Sequence, residues 1–338
     1  MVMKLTQIVE RLMAQGKGIL AADESPKTMT PRLESRGIES TNETRRRFRE
    51  LLLTTGGIEE YVSGIIYHDE TLRQTVADGT PFADATFALN ILPGIKVDKG
   101  LIDDDQFEGG QVADGLDGLA ERLQEYKTMG ARFTKWRAIS HVHDIPGNPA
   151  MRENASRFAA YAAQVLDAEM IPIVEPEVLM AGQHTAAEAE SAIVEFLSVV
   201  VDALSAKGVD FRHVIFKTAM AVSGAESDFR VPHAEVAERT VRALTAALPE
   251  EIGGVVFLSG GQGPDEAVAN LNAIARLEPL PWPITFSFSR AVQDPVMDVW
   301  RGSEDNVGEA QGILLQRLSL LKLADAAGYV SDQNIGAV

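Results

Sequence analysis

The chain has 338 residues, of which 45% are hydrophobic and 24% are charged. This composition is typical of a globular protein, and the length suffices for one large α/β domain or two smaller ones. The 31 basic and 49 acidic residues give a formal net charge of -18, which argues against nucleic acid and anionic membranes as partners. The sequence has no cysteine, which excludes disulfides, thiolate zinc sites and a cysteine nucleophile.

The first 18 residues, MVMKLTQIVERLMAQGKG, alternate apolar and polar side chains at helical spacing, which predicts an N-terminal amphipathic helix. They lack the uninterrupted apolar core of a signal peptide. The most apolar stretch elsewhere, residues 192–206, is interrupted by Glu195 and Asp202 and is too short for a transmembrane span. We therefore expect a soluble, cytoplasmic protein.

Apolar runs of strand length alternate with helical stretches along the chain. The strand-like runs cover residues 18–23, 62–70, 91–98, 131–139, 171–179, 213–220, 254–261 and 282–289, and the helical stretches cover residues 42–53, 116–129, 151–168, 186–204, 233–248, 264–274 and 308–323. About eight strand-helix units favour a (β/α)8 TIM barrel over a doubly wound sheet, as a single domain over residues 1–338. Residues 98–118 are acidic and glycine-rich, which predicts a loop above the barrel mouth.

Charged residues occur in pairs, one residue apart, in three of the predicted strands. The pairs are Lys96 with Asp98, Lys135 with Arg137, and Glu175 with Glu177. Side chains at positions i and i+2 of a strand share a face, so each pair points to one place. Unpaired buried charges are costly, so three such pairs indicate a shared site where they neutralise one another around a ligand. Further polar residues stand toward the predicted C-terminal ends of strands, where TIM barrels hold their active sites: Asp23, Lys217, Ser259, Ser287 and Arg290.

Lys217, in VIFKTAM, is the candidate nucleophile. Apolar neighbours and a nearby cation, which Lys135 would supply, disfavour the ammonium form of a lysine. Glu175 and Glu177 would then move protons during carbinolamine and imine formation. The alternative is that Lys217 only forms an ion pair with a glutamate.

The segments FLSGGQG and SFSR, at the seventh and eighth predicted strands, lie where TIM barrels commonly bind phosphate. Ser259, Gly260 and Gly261 offer a hydroxyl and backbone N–H groups, Arg290 offers positive charge, and a helix beginning near Pro264 adds to anion binding. A plain glycine turn is the competing interpretation.

The six histidines include His141, His143 and His184, which could form a metal site together with Glu175 or Glu177. We expect them instead to be solvated loop residues. Carboxylates within reach of Lys217 and Lys135 already have cationic partners, so a divalent ion would compete with fixed positive charge.

Along nearly its whole length the chain resembles the class I fructose-bisphosphate aldolases, through GKGILAADES, GIKVDKG, GLDGL, KWR, VEPE, FLSGGQ and TFS in that order. The resemblance implies a metal-independent lyase of glycolysis and gluconeogenesis that uses no cofactor. It would reversibly cleave fructose 1,6-bisphosphate to dihydroxyacetone phosphate and glyceraldehyde 3-phosphate. Relatives are frequently homotetramers, so we expect a homo-oligomer.

The resemblance also implies a role for each site residue. Lys217 matches the Schiff-base lysine, Glu175 matches the general acid/base, and Glu177 matches the carboxylate that assists imine chemistry. Asp23 matches the aspartate that handles the C4 hydroxyl. Lys135 matches the lysine that tunes this cluster, and Arg137 matches the basic residue beside it. Ser259, Gly260, Ser287 and Arg290 match the site for the C1 phosphate. Ser25, Thr28 and Lys96 match the site for the C6 phosphate, and we expect Asp98 and Gly261 to contact substrate as well.

Two departures from the family pattern touch the site. Ser289 stands where many relatives have glycine, and Thr218 with Ala219 stand where animal members have proline and asparagine after the lysine. The sequence ends in GYVSDQNIGAV, without the tyrosine-ended tail that several animal enzymes use in proton transfer. We expect enamine protonation to depend on another residue or on water.

Three rival functions fit the same residues. The first is the same chemistry on another ketose phosphate, such as sedoheptulose or tagatose bisphosphate, which a comparison of kcat/KM values separates. The second is a metal-assisted isomerase or lyase with Glu175, Glu177 and Asp98 as ligands. The third is a phosphosugar sensor without activity, which the retention of every reactive residue argues against.

Overall fold

The computed structural model describes residues 3–103, 110–144 and 147–330. The strands in these residues are β1 (Gly18–Ala22), β2 (Val62–Tyr67), β3 (Leu92–Lys96), β4 (Leu101–Asp103), β5 (Gln111–Ala113), β6 (Phe133–Ser140), β7 (Ile171–Val178), β8 (Ile215–Thr218), β9 (Gly254–Phe257) and β10 (Ile284–Phe286). Eight of them form a parallel sheet in the order β1-β2-β3-β6-β7-β8-β9-β10. The other two, β4 and β5, form an antiparallel hairpin.

Helices follow most of the sheet strands, as a βα-repeat requires. They are α1 (Leu5–Leu12), α2 (Pro26–Glu34), α3 (Asn42–Leu53), α4 (Asp69–Leu72), α5 (Phe82–Ala88), α6 (Leu119–Thr128), α7 (Pro149–Asp167), α8 (Ala186–Ala206), α9 (His233–Ala247), α10 (Pro264–Ala275), α11 (Arg290–Trp300) and α12 (Val307–Asp325). In the described ranges, every helix is too short or too polar to cross a membrane.

The first and last sheet strands meet, so that the sheet closes into a barrel. The backbone N–H of Ala21 in β1 donates to the carbonyl of Phe288, just beyond β10, at 3.1 Å. At the other end of the same strands, the Thr285 hydroxyl donates to the carbonyl of Lys17 at 2.9 Å. The predicted (β/α)8 TIM barrel is therefore confirmed.

Apolar side chains fall into two clusters, one on each face of the barrel wall. The inner cluster contains alternate strand residues, among them Ile19, Phe133, Ile173 and Ile215. Leu20, Trp136, Val174 and Phe216, which stand between or beside these in sequence, belong to the outer cluster with the helices. This alternation follows from the two-residue period of a strand.

The amphipathic helix α1 closes the lower end of the barrel. Its residues Ile8, Val9 and Leu12 are buried in the inner cluster. The carbonyl of Leu12 accepts a hydrogen bond from the Ser63 hydroxyl, near the start of β2, at 2.6 Å. The prediction of an N-terminal amphipathic helix is confirmed, although the helix occupies only the middle of the predicted segment.

The eight predicted strands and seven predicted helices are all present, with ends shifted by a few residues. Helices α2, α4, α5 and α11 were not among the predicted elements, and the prediction of a loop at residues 98–118 is partly wrong because β4 and β5 lie within it. The Asn154 side chain on α7 holds β5 in place by accepting from the Ala113 N–H and donating to the Gln111 carbonyl. Residues 104–109 of that segment, and residues 331–338 of the C-terminal segment discussed above, lie outside the described residues.

Candidate active site

Four charged side chains meet inside the upper end of the barrel. Lys135 Nζ on β6 lies 2.7 Å from Asp23 Oδ2 at the end of β1, and 3.1 Å from Glu175 Oε2 on β7. The other oxygen of Glu175, Oε1, lies 3.1 Å from Lys217 Nζ on β8. All four residues are at most 8% exposed. The sequence analysis predicted this convergence, and the structure contains it as one continuous chain of ion pairs.

The strand period explains why these four side chains point inward. Glu175 lies two residues beyond Ile173, and Lys217 lies two residues beyond Ile215, and both isoleucines belong to the inner cluster. Residues two apart on a strand share a face, so the charges form the uppermost layer of the barrel interior. The apolar layers below them keep water away from one side of the ion pairs.

The mutual attraction of these groups outweighs the cost of their burial. Burial alone would raise the pKa of Asp23, but the charges of Lys135 and Lys217 hold that pKa well below its usual range. For Lys135, burial would lower the pKa, but Asp23 and Glu175 raise it above its usual range. Burial would also raise the pKa of Glu175, and Lys135 and Lys217 lower it instead. The two carboxylates and Lys135 are therefore ionised at neutral pH.

The remaining charged pairs flank this cluster. Lys96 forms an ion pair with Asp98 and also donates to the Asp98 carbonyl at 2.8 Å. The Arg137 guanidinium forms an ion pair with Glu177, and the backbone N–H of Arg137 donates to Asp98 Oδ2 at 3.2 Å. Glu177 thus has Arg137 as its ion-pair partner, whereas Glu175 lies between Lys135 and Lys217.

The predicted C1-phosphate residues come together on the loops after β9 and β10. Gly260 has φ 56° and Gly261 has φ 155°, which are conformations that favour glycine and allow the backbone to turn tightly there. The Arg290 side chain, at the start of α11, donates to the Gly260 carbonyl at 3.1 Å and so joins the two loops. Ser259 and Ser287 are buried beside this turn. Within the described residues, the Ser287 hydroxyl has no hydrogen-bond partner.

Two of the three predicted C6-phosphate residues, Ser25 and Thr28, lie at the start of α2, and the third, Lys96, is the last residue of β3. Ser25 is the N-cap of this helix, and its hydroxyl accepts a hydrogen bond from the Thr28 N–H at 3.3 Å. The hydroxyls of Ser25 and Thr28 are 3.2 Å apart. The helix begins with Pro26, which has no N–H to leave unpaired.

Sequence reasoning missed one buried acid at this end of the barrel. Glu24, directly after Asp23, forms ion pairs with Arg32 on α2 and with Arg49 on α3. It also accepts hydrogen bonds from Ser289 and from Gln293 Nε2. The strand pattern gave no sign of this, since Glu24 looks like a solvated acid after a strand. Its partner Arg49, within the charged run RRRFRE, is 3% exposed, which only the structure shows.

In residues 3–103, 110–144 and 147–330, no three His, Asp or Glu side chains form a group suited to a metal ion. The expectation of solvated histidines is wrong for His184, which is 3% exposed, because the loops after β7 and β8 pack together over it. The N–H of Gly224, beyond β8, donates to the His184 carbonyl at 2.8 Å. His141 and His143 are exposed.

Comparisons with known proteins agree with this geometry. The family model of class I fructose-bisphosphate aldolase matches residues 4–337. A probable class 1 fructose-bisphosphate aldolase of Xanthomonas axonopodis is 41% identical, over 93% of this chain and 95% of its own. A fructose-bisphosphate aldolase of Arabidopsis thaliana named as cytosolic is 41% identical, over 95% of this chain and 82% of its own.

A solved structure extends the likeness to three dimensions. Fructose-bisphosphate aldolase from Plasmodium falciparum, crystallised with TRAP and a small-molecule inhibitor, is 40% identical and superposes with a TM-score of 0.94. The superposition covers 97% of this chain and 95% of the other. With a family model that spans almost every residue, this chain belongs to the class I fructose-bisphosphate aldolases.

Proposed function

We propose that this fructose-bisphosphate aldolase cleaves its substrate through an imine between Lys217 Nζ and the C2 carbonyl carbon. The observation that carries the proposal is the position of Glu175, whose two oxygens each lie 3.1 Å from a different buried lysine. A single carboxylate is thereby available to move protons at the reacting amine. Lys135 supplies a fixed positive charge beside it.

The chemistry requires an electron sink at C2, because cleavage of the C3–C4 bond leaves an electron pair on C3. The Lys217 amine adds to C2, and loss of water gives the protonated imine. Removal of the C4 hydroxyl proton then breaks the C3–C4 bond, releases glyceraldehyde 3-phosphate and leaves an enamine. Protonation at C3 and hydrolysis of the imine release dihydroxyacetone phosphate and return the free lysine.

We assign the two proton-transfer roles to two carboxylates on different strands. Asp23, at the end of β1, takes the C4 hydroxyl proton, and Glu175, on β7, serves the carbinolamine, imine and enamine steps. Their shared contact with Lys135 supports this division, since the lysine keeps both carboxylates ionised. Glu177 and Arg137 assist at the edge of the cluster.

Two phosphate sites would hold the ends of the substrate. Ser259, Gly260, Gly261, Ser287 and Arg290 would bind the C1 phosphate, and the buried Ser287 hydroxyl is suited to donate to one of its oxygens. Ser25, Thr28 and Lys96 would bind the C6 phosphate at the start of α2. Asp98 would orient Lys96, with which it forms an ion pair.

Borohydride reduction in the presence of dihydroxyacetone phosphate tests the imine. The reductant converts an imine into a stable secondary amine, so we expect peptide mapping to find the adduct on Lys217. Lys217→Met should abolish both the adduct and turnover, whereas Lys127→Met, which changes a surface lysine paired with Glu169, should alter neither. An unmodified Lys217 at saturating substrate would refute the mechanism.

A second experiment separates this mechanism from a metal-assisted one. In our proposal the protonated imine is the electron sink, so no metal or other cofactor is required. We expect kcat to be unchanged after dialysis against EDTA. A loss of activity that zinc or magnesium restores would favour the rival in which Glu175, Glu177 and Asp98 are metal ligands.

We also propose that residues 1–338 form one domain of a cytoplasmic homo-oligomer that binds neither nucleic acid nor membranes. The cytosolic Arabidopsis relative and the absence of cysteine support the location. The net charge of -18 supports the lack of affinity for polyanions. Sedimentation velocity at micromolar concentration should give a whole-number multiple, two or more, of the chain mass of 36.6 kDa, and a species of 36.6 kDa would contradict the homo-oligomer.

A further inference from the structure

A polar cluster, with Arg49 and Gln293 buried and its other members half-buried, adjoins the two proposed phosphate sites along the chain. We name it the Glu24 cluster, and its members are Glu24, Arg32, Arg49, Ser289, Gln293 and Asp294. Glu24 Oε1 accepts from the Ser289 hydroxyl, from Arg32 and, at 3.0 Å, from Gln293 Nε2. Glu24 Oε2 accepts from Arg49 at 2.5 Å. One carboxylate is thus held by four donors from three different helices and a helix cap.

The Glu24 cluster is electrically balanced. Arg32 and Arg49 carry two positive charges, and Glu24 and Asp294 carry two negative charges, with Arg32 donating to Asp294 Oδ1 at 2.7 Å. Arg36 lies 3.4 Å from the same oxygen and is itself paired with Asp298 at 2.6 Å, so the balance is kept. Ser289 and Gln293 are neutral. The cluster therefore has no net charge with which to attract a neighbouring phosphate, and we consider its effect on the geometry of the two sites.

The cluster joins the starts of two helices. Glu24 directly precedes Ser25, the N-cap of α2, and Ser289 is the N-cap residue of α11, which begins with Arg290. Gln293, in the first turn of α11, also donates to the Ala21 carbonyl on β1 at 2.5 Å. The Ser289 hydroxyl, which also accepts from Gln293 Nε2 at 3.3 Å, therefore connects the start of α11 to the residue that leads into α2, and Gln293 makes a second connection to the same carboxylate.

We propose that Ser289 is a positioning residue whose hydrogen bond to Glu24 fixes the distance between the two phosphate sites and so selects substrates with phosphates at both ends. The inference rests on the proposed function, which supplies the two phosphate sites. A substrate anchored at both ends gains affinity only when the sites are held at the matching separation. A substrate anchored at one end does not sense that separation.

Ser289→Gly and Ser289→Ala remove the hydroxyl and leave the arginine pairs intact. We expect kcat/KM for fructose 1,6-bisphosphate to fall about tenfold, chiefly because KM rises. A tenfold change matches the loss of one hydrogen bond to a charged group. For fructose 1-phosphate, which lacks the C6 phosphate, we expect a change of less than about twofold. Ser289→Thr keeps a hydroxyl and should restore most of the preference. Glu24 itself is a poor test site, since its removal would leave Arg49 buried without a carboxylate.

Binding of sugar alcohols tests the inference without the reaction. A hexitol 1,6-bisphosphate has both phosphates and no carbonyl, so it cannot form an imine. We expect Ser289→Ala to weaken its binding, measured by calorimetry, about tenfold and to leave hexitol 1-phosphate within about twofold. Ser303→Ala, which removes a cap hydroxyl of a short helix beyond α11, is the matched control and should change neither ligand.

The outcomes separate the inference from the proposed function. Equal losses for both ligands, or no loss for the bisphosphate, would overturn the inference, as would a wild type that binds the two ligands equally well. A wild type that prefers the bisphosphate but yields no borohydride adduct would overturn the imine mechanism and leave the role of Ser289 standing.

Discussion

At the residue scale, Lys135 is the group on which the protonation of the site depends. Burial by itself would raise the pKa of Asp23 and of Glu175, and Lys135 is the largest opposing influence on both. The lysine lies within 3.1 Å of an oxygen of each carboxylate. It thereby keeps the proposed base and the proposed acid/base in the anionic form from which their steps begin.

Lys135→Met should move the acid limb of the pH dependence of kcat/KM to higher pH. Without the lysine, burial dominates and the pKa of Asp23 and of Glu175 rises, so that the anionic form is lost at a higher pH. We expect a shift of about one pH unit or more, together with a fall in kcat. Lys127→Met is the matched control, because Lys127 is paired with Glu169 at the surface. An acid limb that stays in place in Lys135→Met would contradict this account.

The spacing of charges in the sequence predicted some of these residues and not others. The pairs Lys135 with Arg137 and Glu175 with Glu177 stand out, because paired charges inside an apolar strand are costly to bury unless they serve a site. Glu24 does not, because a single acid after a strand is ordinary, and its partners Arg49 and Gln293 lie on helices far along the chain. Contacts of that kind are set by tertiary packing, which no local pattern records.

At the element scale, glycines in the strands make room for aromatic rings inside the barrel. Gly94 on β3 pairs with Phe133 on β6, and a Cβ added to Gly94 would lie 2.3 Å from the Phe133 ring. Gly64 on β2 also faces this ring, and a Cβ added there would lie 3.0 Å from it. A small residue beside a large one is how a narrow barrel fills its interior without strain.

Gly94→Ala should destabilise the protein by about 1–3 kcal/mol, because the added methyl group overpacks the barrel core. Urea denaturation would measure the change in the free energy of unfolding. Gly56→Ala, at a position with no heavy atom within 4 Å of the new Cβ, should change it little. Combining Gly94→Ala with Phe133→Leu should recover part of the loss, and additive losses would argue against the ring contact as the cause.

The elements that the sequence analysis did not anticipate share a physical cause. Helices α2 and α11 contain Pro31 and Pro295, and α5 has only seven residues, so each lacks a long uninterrupted helical period. The hairpin of β4 and β5 consists of three-residue strands within an acidic, glycine-rich segment. Asn154 on α7 holds this hairpin through two hydrogen bonds, and no local pattern could connect the two.

At the scale of the whole molecule, buried carboxylates should make the protein sensitive to acid. Asp23, Glu24 and Glu175 have lowered pKa values in the folded chain, since nearby cations outweigh burial. Each therefore contributes stability that is fully present above its ordinary pKa and is lost as the pH falls toward the folded value. We expect the free energy of unfolding in urea to fall steadily below about pH 4.5, by about 1.4 kcal/mol per pH unit for each proton taken up.

Asp325, on α12, has a raised pKa, so its effect on stability is opposite to that of the three carboxylates with lowered pKa values. It therefore provides the control. Burial raises the pKa of Asp325 to about 6, so its ionised form costs stability above that pH. Asp325→Asn should be more stable than the wild type at pH 7 and no more stable below pH 3.8, the ordinary pKa of an aspartate. Because Asp325 lies apart from the site, the variant should keep the same decline below pH 4.5. Stability that is flat from pH 7 to pH 3 would contradict the prediction.

The closure of the lower barrel by α1 bears on the path by which products depart. With Ile8, Val9 and Leu12 packed into the inner cluster, the described part of the chain leaves Lys217, the proposed Schiff-base lysine, reachable only from the upper mouth. Both three-carbon fragments must therefore use one exit. In the proposed mechanism the aldehyde fragment is free once the C3–C4 bond breaks, whereas the other fragment is still bonded to Lys217, so the aldehyde departs first. The bond to Lys217 sets this order, and the closed lower end makes the second fragment follow the first along the same path.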